Sequence, residues 1–317
     1  MVSARMSVRQ GFQLARRSRS AVFILFGANL VLAAVAGLPI YHGILDFTSH
    51  SLMSRKLLTG FSLNWFTDFA FHRRGAIQQY AEVIMALGLI ALPVNAVLAG
   101  GVLSRFQRQT ERFRVGVFFR DCSRYAWRML LLMVFALFAY WAVFKYVNAG
   151  LGGYVDHATL YWRNDRMAFL AHLGAAVLVL LALVFVNLVI DFAQVRIVFG
   201  EGSGTLESLL ASLGFAIARL PRAIVVYAIP SLCGLGLLVV YRLITPWHMI
   251  HLALGETAGA SYEPLLVLAL LFIGQQIVMF GRYWFRVATW GSEWSLFAGT
   301  RRPAKAPEES GQPAAAA

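Results

Sequence analysis

The sequence predicts an all-α protein, a polytopic transmembrane helix bundle with six spans and with amphipathic helices lying in the membrane plane. The first observation is composition: 59% of the 317 residues are hydrophobic and 14% are charged, whereas soluble domains are roughly half apolar and about a quarter charged. The second is the presence of six apolar stretches close to the ~20 residues that a helix needs to cross the hydrocarbon. The third is an uneven distribution of arginine among the segments that join these stretches.

The six predicted spans form one transmembrane domain, residues 1–300, followed by a cytoplasmic tail. The tail, residues 301–317, is rich in proline, alanine and glutamate and has no apolar period, so we expect it to be disordered. The spans cover residues 21–42, 81–104, 125–146, 167–191, 222–243 and 263–286.

The first span has an alternative interpretation as a cleaved signal peptide. Arg16, Arg17 and Arg19 precede its apolar run, and Ala34-Val35-Ala36 resembles a cleavage site. The run continues beyond that site to Ile40, which is longer than the core of a typical signal peptide. We therefore expect an uncleaved anchor.

The basic residues predict the orientation. If the N-terminus is cytoplasmic, 20 of the 28 lysines and arginines fall in cytoplasmic segments and eight fall outside. This bias favours cytoplasmic N- and C-termini and an even number of spans. The net charge of +13 is then explained by contact with anionic lipid head groups rather than with nucleic acid.

Two cytoplasmic connections are amphipathic. In residues 104–128, Phe118, Cys122, Tyr125 and Met129 recur at helical spacing, which predicts an in-plane helix that turns into the third span. Alternatively, this segment is a docking site for a cytoplasmic partner. A second in-plane helix is predicted after Gly204, with an apolar stripe of Leu206, Leu209, Leu210, Leu213, Ile217 and Leu220. The outer segment between about residues 41 and 80 predicts short interfacial helices.

Five polar side chains fall inside predicted spans, where they are costly unless they find partners. They are Asn29, Asn95, Asn187, Gln275 and Gln276. One interpretation is interhelical hydrogen bonding that fixes packing. The other is a path for a polar substrate, which predicts that Asn95, Asn187, Gln275 and Gln276 meet at one hydrated cavity.

A charged pair and a histidine pair complete the candidate site residues. Asp191 ends the fourth span, and Arg196 follows five residues later, which predicts an ion pair at the membrane edge, although the spacing is not ideal. An alternative partner for Asp191 is Arg219 or Arg222. His248 and His251 have the i,i+3 spacing of a metal-binding pair, but no further ligand completes a site, so we expect no metal.

The chain carries no sequence motif of a phosphate loop, a serine elbow or a dinucleotide site, so we expect no enzymatic activity and no cofactor. Glu207-Ser208-Leu209, followed by Gly214, faintly resembles the coupling helix of ABC permeases, although the alanines of that motif are absent.

A broader resemblance is to the membrane domain attached to glycerophosphodiester phosphodiesterases and to uncharacterised bacterial six-span proteins. It is carried by residues 198–201, 206–212 and 218–222 and by patches between Ser49 and Phe69. The catalytic domain of those phosphodiesterases has no counterpart in this sequence. The resemblance implies a multi-pass protein of the bacterial inner membrane. The first hypothesis is therefore a non-enzymatic membrane scaffold or accessory protein, and the alternative is a transporter or permease subunit for a small polar solute.

Overall fold

The computed structural model describes residues 3–48, 63–162, 164–200, 204–254 and 264–300, and the regular elements in these ranges are helices. A π-helical segment, Val143–Asn148, joins the fifth and sixth of them without a break. The helices are α1 (Ala4–Arg17), α2 (Arg19–Thr48), α3 (Leu63–His72), α4 (Arg74–Gln107), α5 (Val115–Ala142), α6 (Ala149–Thr159), α7 (Asp165–Phe199), α8 (Thr205–Ala218), α9 (Leu220–Leu254) and α10 (Pro264–Ala298).

Five helical segments of the described chain are long and apolar enough to cross a membrane, which indicates a multi-pass membrane protein. Each of the first five predicted spans lies within one of them. The sixth, from residue 264 onward, falls in the first part of α10, and residue 263 lies outside the described residues. The five segments are Arg19–Phe47, Ile77–Gln107, Val115–Thr159, Asp165–Phe199 and Leu220–Ile244.

The structure differs from the sequence prediction at α5. We expected an in-plane helix that turns into the third span, but one unbroken helix begins at Val115. Its apolar stripe faces α4 rather than lipid, because Gly100 and Gly101 of α4 leave room for Phe118 and Tyr125. A Cβ atom on Gly100 would lie 3.0 Å from the Cβ of Tyr125, and one on Gly101 would lie 2.9 Å from the ring of Phe118. Close antiparallel packing therefore replaces the expected turn.

The N-terminal helix α1 packs along the C-terminal half of α10. Ser3 caps α1 by accepting a hydrogen bond from the backbone N–H of Met6, and the buried face includes Ser7, Gly11 and Ala15. Gly11 lies against Gly291, since a Cβ on Gly291 would be 3.1 Å from the Cα of Gly11. Small residues on both helices thus permit backbone contact.

The buried core lies at the end of the bundle where α1 packs, which we call the α1 end. Leu103 and Phe106 of α4, Val198 of α7 and Trp294 of α10 meet there. Away from this end, the long helices expose large apolar side chains, such as Leu181 of α7. This distribution is typical of a bundle whose outer surface contacts lipid.

The short helix α8 connects α7 to α9 and packs mainly on α7. Its inward face consists of small or polar residues, Thr205, Ser208, Ser212 and Ala216, which are buried. Leu206, Leu210 and Ile217 from the predicted apolar stripe are exposed instead. The apolar stripe therefore points largely away from the protein.

Several sequence predictions lie outside the described residues. They are the disordered tail over residues 301–317, the residues that carry the resemblance between 49 and 62, and Glu201. The side chains of His248 and His251 also lie outside the described part, although both residues belong to α9.

Candidate functional site

A cavity of about 800 Å³ lies in the centre of the bundle. Residues of α2, α4, α5, α7, α9 and α10 line it, so all six long helices contribute. Its volume is within the range of small-molecule sites, ~300–1,000 Å³. The elements that form the wall are apolar for most of their length, which makes the polar groups in this cavity the chemically informative ones.

One face of α7 supplies a polar strip along the cavity. Asn187, Asp191 and Gln194 are spaced four and three residues apart, which places them on the same side of a helix. The strip is ~10 Å long, because each residue adds ~1.5 Å along the axis. Tyr140 of α5 reaches it from across the cavity and donates a hydrogen bond to Asn187 Oδ1 at 2.6 Å.

An ion pair between α7 and α10 lies at the middle residue of this strip. The guanidinium of Arg286 donates to both carboxylate oxygens of Asp191, at 2.6 and 2.7 Å. Trp290 Nε1 lies 3.4 Å from one of the same oxygens, and its ring stacks below the guanidinium with the Arg286 Cζ atom 4.8 Å from the ring centre. The Asp191 side chain is 1% exposed, whereas that of Arg286 is 36% exposed. The pair therefore joins a buried carboxylate to a cation that faces the cavity.

This geometry corrects the predicted pairing of Asp191 with Arg196. Five residues correspond to about 140° around a helix, so the two side chains leave α7 on different sides. Asp191 instead binds Arg286, which is 95 positions away in the sequence. Arg286, rather than the alternatives Arg219 or Arg222, thus donates to both carboxylate oxygens.

A reciprocal amide pair lines the cavity between α2 and α4. Asn29 Nδ2 donates to Asn95 Oδ1 at 2.8 Å, and Asn95 Nδ2 donates to Asn29 Oδ1 at 2.9 Å. The second N–H of each amide binds the backbone carbonyl four residues earlier, Leu25 O and Ala91 O. All four amide N–H groups are therefore paired, which is the arrangement that the packing interpretation predicts.

Asn29→Leu is expected to destabilise the protein by about 1 kcal/mol, in the range measured for hydrogen bonds between membrane helices. The reason is that the substitution leaves Asn95 with an unpaired amide at the helix contact. Thermal unfolding in detergent measures the effect. The double variant Asn29→Leu/Asn95→Leu should be less destabilised than the sum of the single variants, and strict additivity would argue against the pair.

Two further polar side chains at the site have unpaired atoms. Gln194 Oε1 and both carboxyl oxygens of Glu293 have no hydrogen-bond partner among the described residues. Glu293 is fully buried on α10 and interacts electrostatically with Asp191 and Arg286. An ionised carboxylate in such a position costs several kcal/mol, so this packing accommodates the neutral form of Glu293.

The other predicted polar residues do not join the cavity. Gln275 is exposed, Gln276 is partly buried, and neither lines it. Of the four residues expected to meet, the cavity therefore gathers Asn95 and Asn187 only. In the described ranges, no group of three or more histidines, cysteines or carboxylates is placed to hold a metal ion.

Sequence reasoning missed the α10 contribution. Arg286, Trp290 and Glu293 were not among the candidate site residues. Their spacing of four and three residues puts all three on one helix face, and this pattern is the signal that was available. Tyr140 and Tyr227, which also line the cavity, carry no comparable signal, because aromatic residues are common in membrane helices.

Comparison with known proteins found no similar one: no family model, no curated protein and no solved structure matches this chain.

Proposed function

We propose that this protein is a non-enzymatic transporter, or a permease subunit, that binds a small polar solute in the central cavity. The observation that carries the proposal is the Asn187–Asp191–Gln194 strip with its Arg286 partner, inside a cavity that six helices surround. Charged groups within membrane bundles typically face solute paths or water-filled cavities. The paired charges and the adjacent amide and phenol groups offer both donors and acceptors to a polar solute.

The proposed setting is a bacterial inner membrane with both termini in the cytoplasm. Six spans are part of this proposal, with α10 as the sixth, and α8 lies in the membrane plane with its leucines toward lipid. The exposure of Leu206 and Leu210 supports that placement of α8, and the even number of spans agrees with the arginine bias.

A second candidate function is a membrane scaffold or accessory protein. The saturated Asn29–Asn95 pair and the Gly11–Gly291 contact favour it, because both are devices for rigid packing. The two functions differ in whether the cavity is hydrated. A scaffold does not need water at Ser231, whereas a solute path does.

Cysteine labelling tests hydration of the cavity. Ser231 lines it, whereas the next residue, Leu232, is 62% exposed and does not. In a chain with Cys233→Ala, we expect Ser231→Cys to react with a small water-soluble methanethiosulfonate, because the thiolate is the reactive form and needs water. Leu232→Cys is the matched control and should react slowly in lipid. Equal rates for the two positions would contradict a hydrated path.

Uptake into proteoliposomes tests transport itself. The probes are radiolabelled alanine, glutamate and glucose, which cover zwitterionic, anionic and neutral solutes. We expect one class to enter faster than in protein-free vesicles. Ser231→Trp, which narrows the cavity with an indole ring, should abolish the difference. Uptake that survives Ser231→Trp would place the solute path elsewhere. A hydrated cavity without uptake of any probe would favour the scaffold.

A further inference from the structure

A second cavity, of about 440 Å³, lies where α4 ends and α5 begins. Because both helices belong to candidate spans, their connection lies at a membrane surface. The cavity is rich in guanidinium groups, which outnumber the two carboxylates that also line it, Glu111 and Asp121. Its arginines are Arg105, Arg108, Arg112, Arg114 and Arg120. We call this cavity the arginine pocket.

Two of the five arginines build the pocket. Arg105 donates from Nη1 to the carbonyl of Arg108 and from Nη2 to the carbonyl of Glu111, at 2.7 Å for the latter, so it holds the connecting loop in place. Arg108 donates to Asp121 at 3.2 Å, and the other oxygen of Asp121 accepts from Ser104 at 2.8 Å. The carboxylate of Asp121 is therefore already neutralised and does not compete for the remaining arginines.

The other three arginines are uncommitted. Arg112, Arg114 and Arg120 line the pocket and have no ion-pair or hydrogen-bond partner among the described side chains. These three guanidinium groups share the pocket with one further carboxylate, Glu111, so a net positive charge remains and the lining favours an anion. The guanidinium fork matches the geometry of phosphate oxygens and binds them in pairs.

The start of α5 adds to this positive field. Arg114 is the N-cap residue, its side chain does not cap the helix, and the first turn contains no acidic residue. The first N–H groups of a helix lack partners within the helix and carry its positive dipole end. Val117 of this first turn lines the pocket, so this end of the helix lies beside the arginines.

The surroundings favour a lipid as the source of the phosphate. Trp127 lies seven residues after Arg120, so it is on the same side of α5, and it is 75% exposed. Tryptophan is enriched at the level of lipid head groups. A ligand with its phosphate in the pocket therefore has apolar protein surface beside it for an acyl chain.

We propose that the arginine pocket binds the phosphate of one anionic phospholipid, with Arg112, Arg114 and Arg120 as its ligands. Arg105 and Arg108 act as positioning residues that hold the loop. The site is separate from the central cavity, and the proposal does not depend on transport. It is narrower than a general attraction of basic segments to the membrane, because it assigns one pocket and three side chains.

Native mass spectrometry of the full chain in neutral detergent tests the proposal. The probes are short-chain phosphatidylglycerol, phosphatidylcholine of the same chain length, and glycerol 1-phosphate as the soluble source of the same chemistry. We expect one tightly bound phosphatidylglycerol. Arg112→Gln/Arg114→Gln/Arg120→Gln should weaken this binding by at least about tenfold, which corresponds to the loss of one charge-assisted contact.

The matched control is Arg5→Gln/Arg9→Gln/Arg16→Gln. These three arginines are exposed on α1, and α1 adjoins the same loop through a hydrogen bond from Arg17 to Gln109. The control removes equal charge from the same end of the bundle and should keep phosphatidylglycerol affinity within about twofold, since charge without a shaped site supplies only a diffuse attraction. Equal losses in the two triple variants would overturn the proposal in favour of such attraction.

Two further results would also overturn it. Equal affinity for phosphatidylcholine would show that anionic charge is not recognised, and binding of glycerol 1-phosphate as tight as that of phosphatidylglycerol would assign the site to a soluble phosphate. If the glutamine variant does not fold, the triple arginine-to-lysine variant is measured instead. It keeps the charge but loses the bidentate fork, so an unchanged affinity in that variant would contradict the proposed ligands.

Discussion

Asp191→Ala is expected to destabilise the protein by about 3 kcal/mol, because it leaves Arg286 without its counter-ion. Removing one partner of a buried pair typically costs ~3–5 kcal/mol. The lower end applies here, since the Arg286 side chain is 36% exposed to the cavity. Thermal or denaturant unfolding of the purified protein in detergent measures the change.

The double variant Asp191→Leu/Arg286→Met tests whether the lost stability comes from an unpaired charge or from lost packing. It removes both charges and keeps apolar volume, so it should recover much of the stability that Asp191→Ala loses. Asp165→Ala is the control on the same helix, since Asp165 is exposed in the first turn of α7. We expect that control to cost less than about 1 kcal/mol. A double variant as unstable as Asp191→Ala would show that shape, not charge, determines stability at this position.

Five of the six predicted spans coincide with long apolar helices, because lipid imposes a local rule. A helix that crosses the hydrocarbon must be apolar along its whole length, and this property is visible in any window of the sequence. The first five predicted spans accordingly lie within the helices of the structure. The turn predicted before the third span is absent from α5, because its apolar stripe packs on two glycines of α4, Gly100 and Gly101, which a hydrophobic pattern does not mark. Only the fold shows that Phe118 and Tyr125 pack on them.

The site was less predictable because its contacts are long-range. Asn29 and Asn95 are 66 positions apart, and Asp191 and Arg286 are 95 apart. A single sequence identifies each as a costly polar group in an apolar segment, but it does not indicate which pairs with which. Asn187 and Asp191 were singled out in this way, whereas Arg286, at the end of the predicted sixth span, was not.

The buried face of α1 was missed for a different reason, since its pattern is short-range. Its basic residues dominated the interpretation of the N-terminal segment, and the stripe of Ser7, Val8, Gly11, Leu14 and Ala15 was not recognised. These residues recur at three- and four-residue spacing and form the buried face. Small residues contribute little to a hydrophobic pattern, so a stripe built for close helix contact is easily overlooked.

The resemblance to the phosphodiesterase-attached membrane domain stays a prediction.

The α1–α10 contact makes Gly11→Ala the second large expected effect. A Cβ on Gly11 would overlap the Ser292 side chain and lie 2.5 Å from the Ser292 backbone nitrogen and 2.7 Å from the carbonyl oxygen of Ala288. Backbone atoms cannot rotate away, so α1 must move off α10. Overpacking of this kind costs about 1–3 kcal/mol. We expect a lower unfolding temperature and faster tryptic cleavage after Arg9 and Arg16, which α1 carries.

Gly214→Ala is the matched control, and its expected sign is opposite. Gly214 lies in α8, which has 14 residues as α1 does, and a Cβ there would meet nothing within 4 Å. Alanine in an open helical position is more stable than glycine by up to ~1 kcal/mol, so this variant should be as stable as the parent or more so. If Gly11→Ala behaved like Gly214→Ala, α1 would not be docked through its glycine. The core at the α1 end, including Leu14 and Trp294, would then have to be stable without that contact.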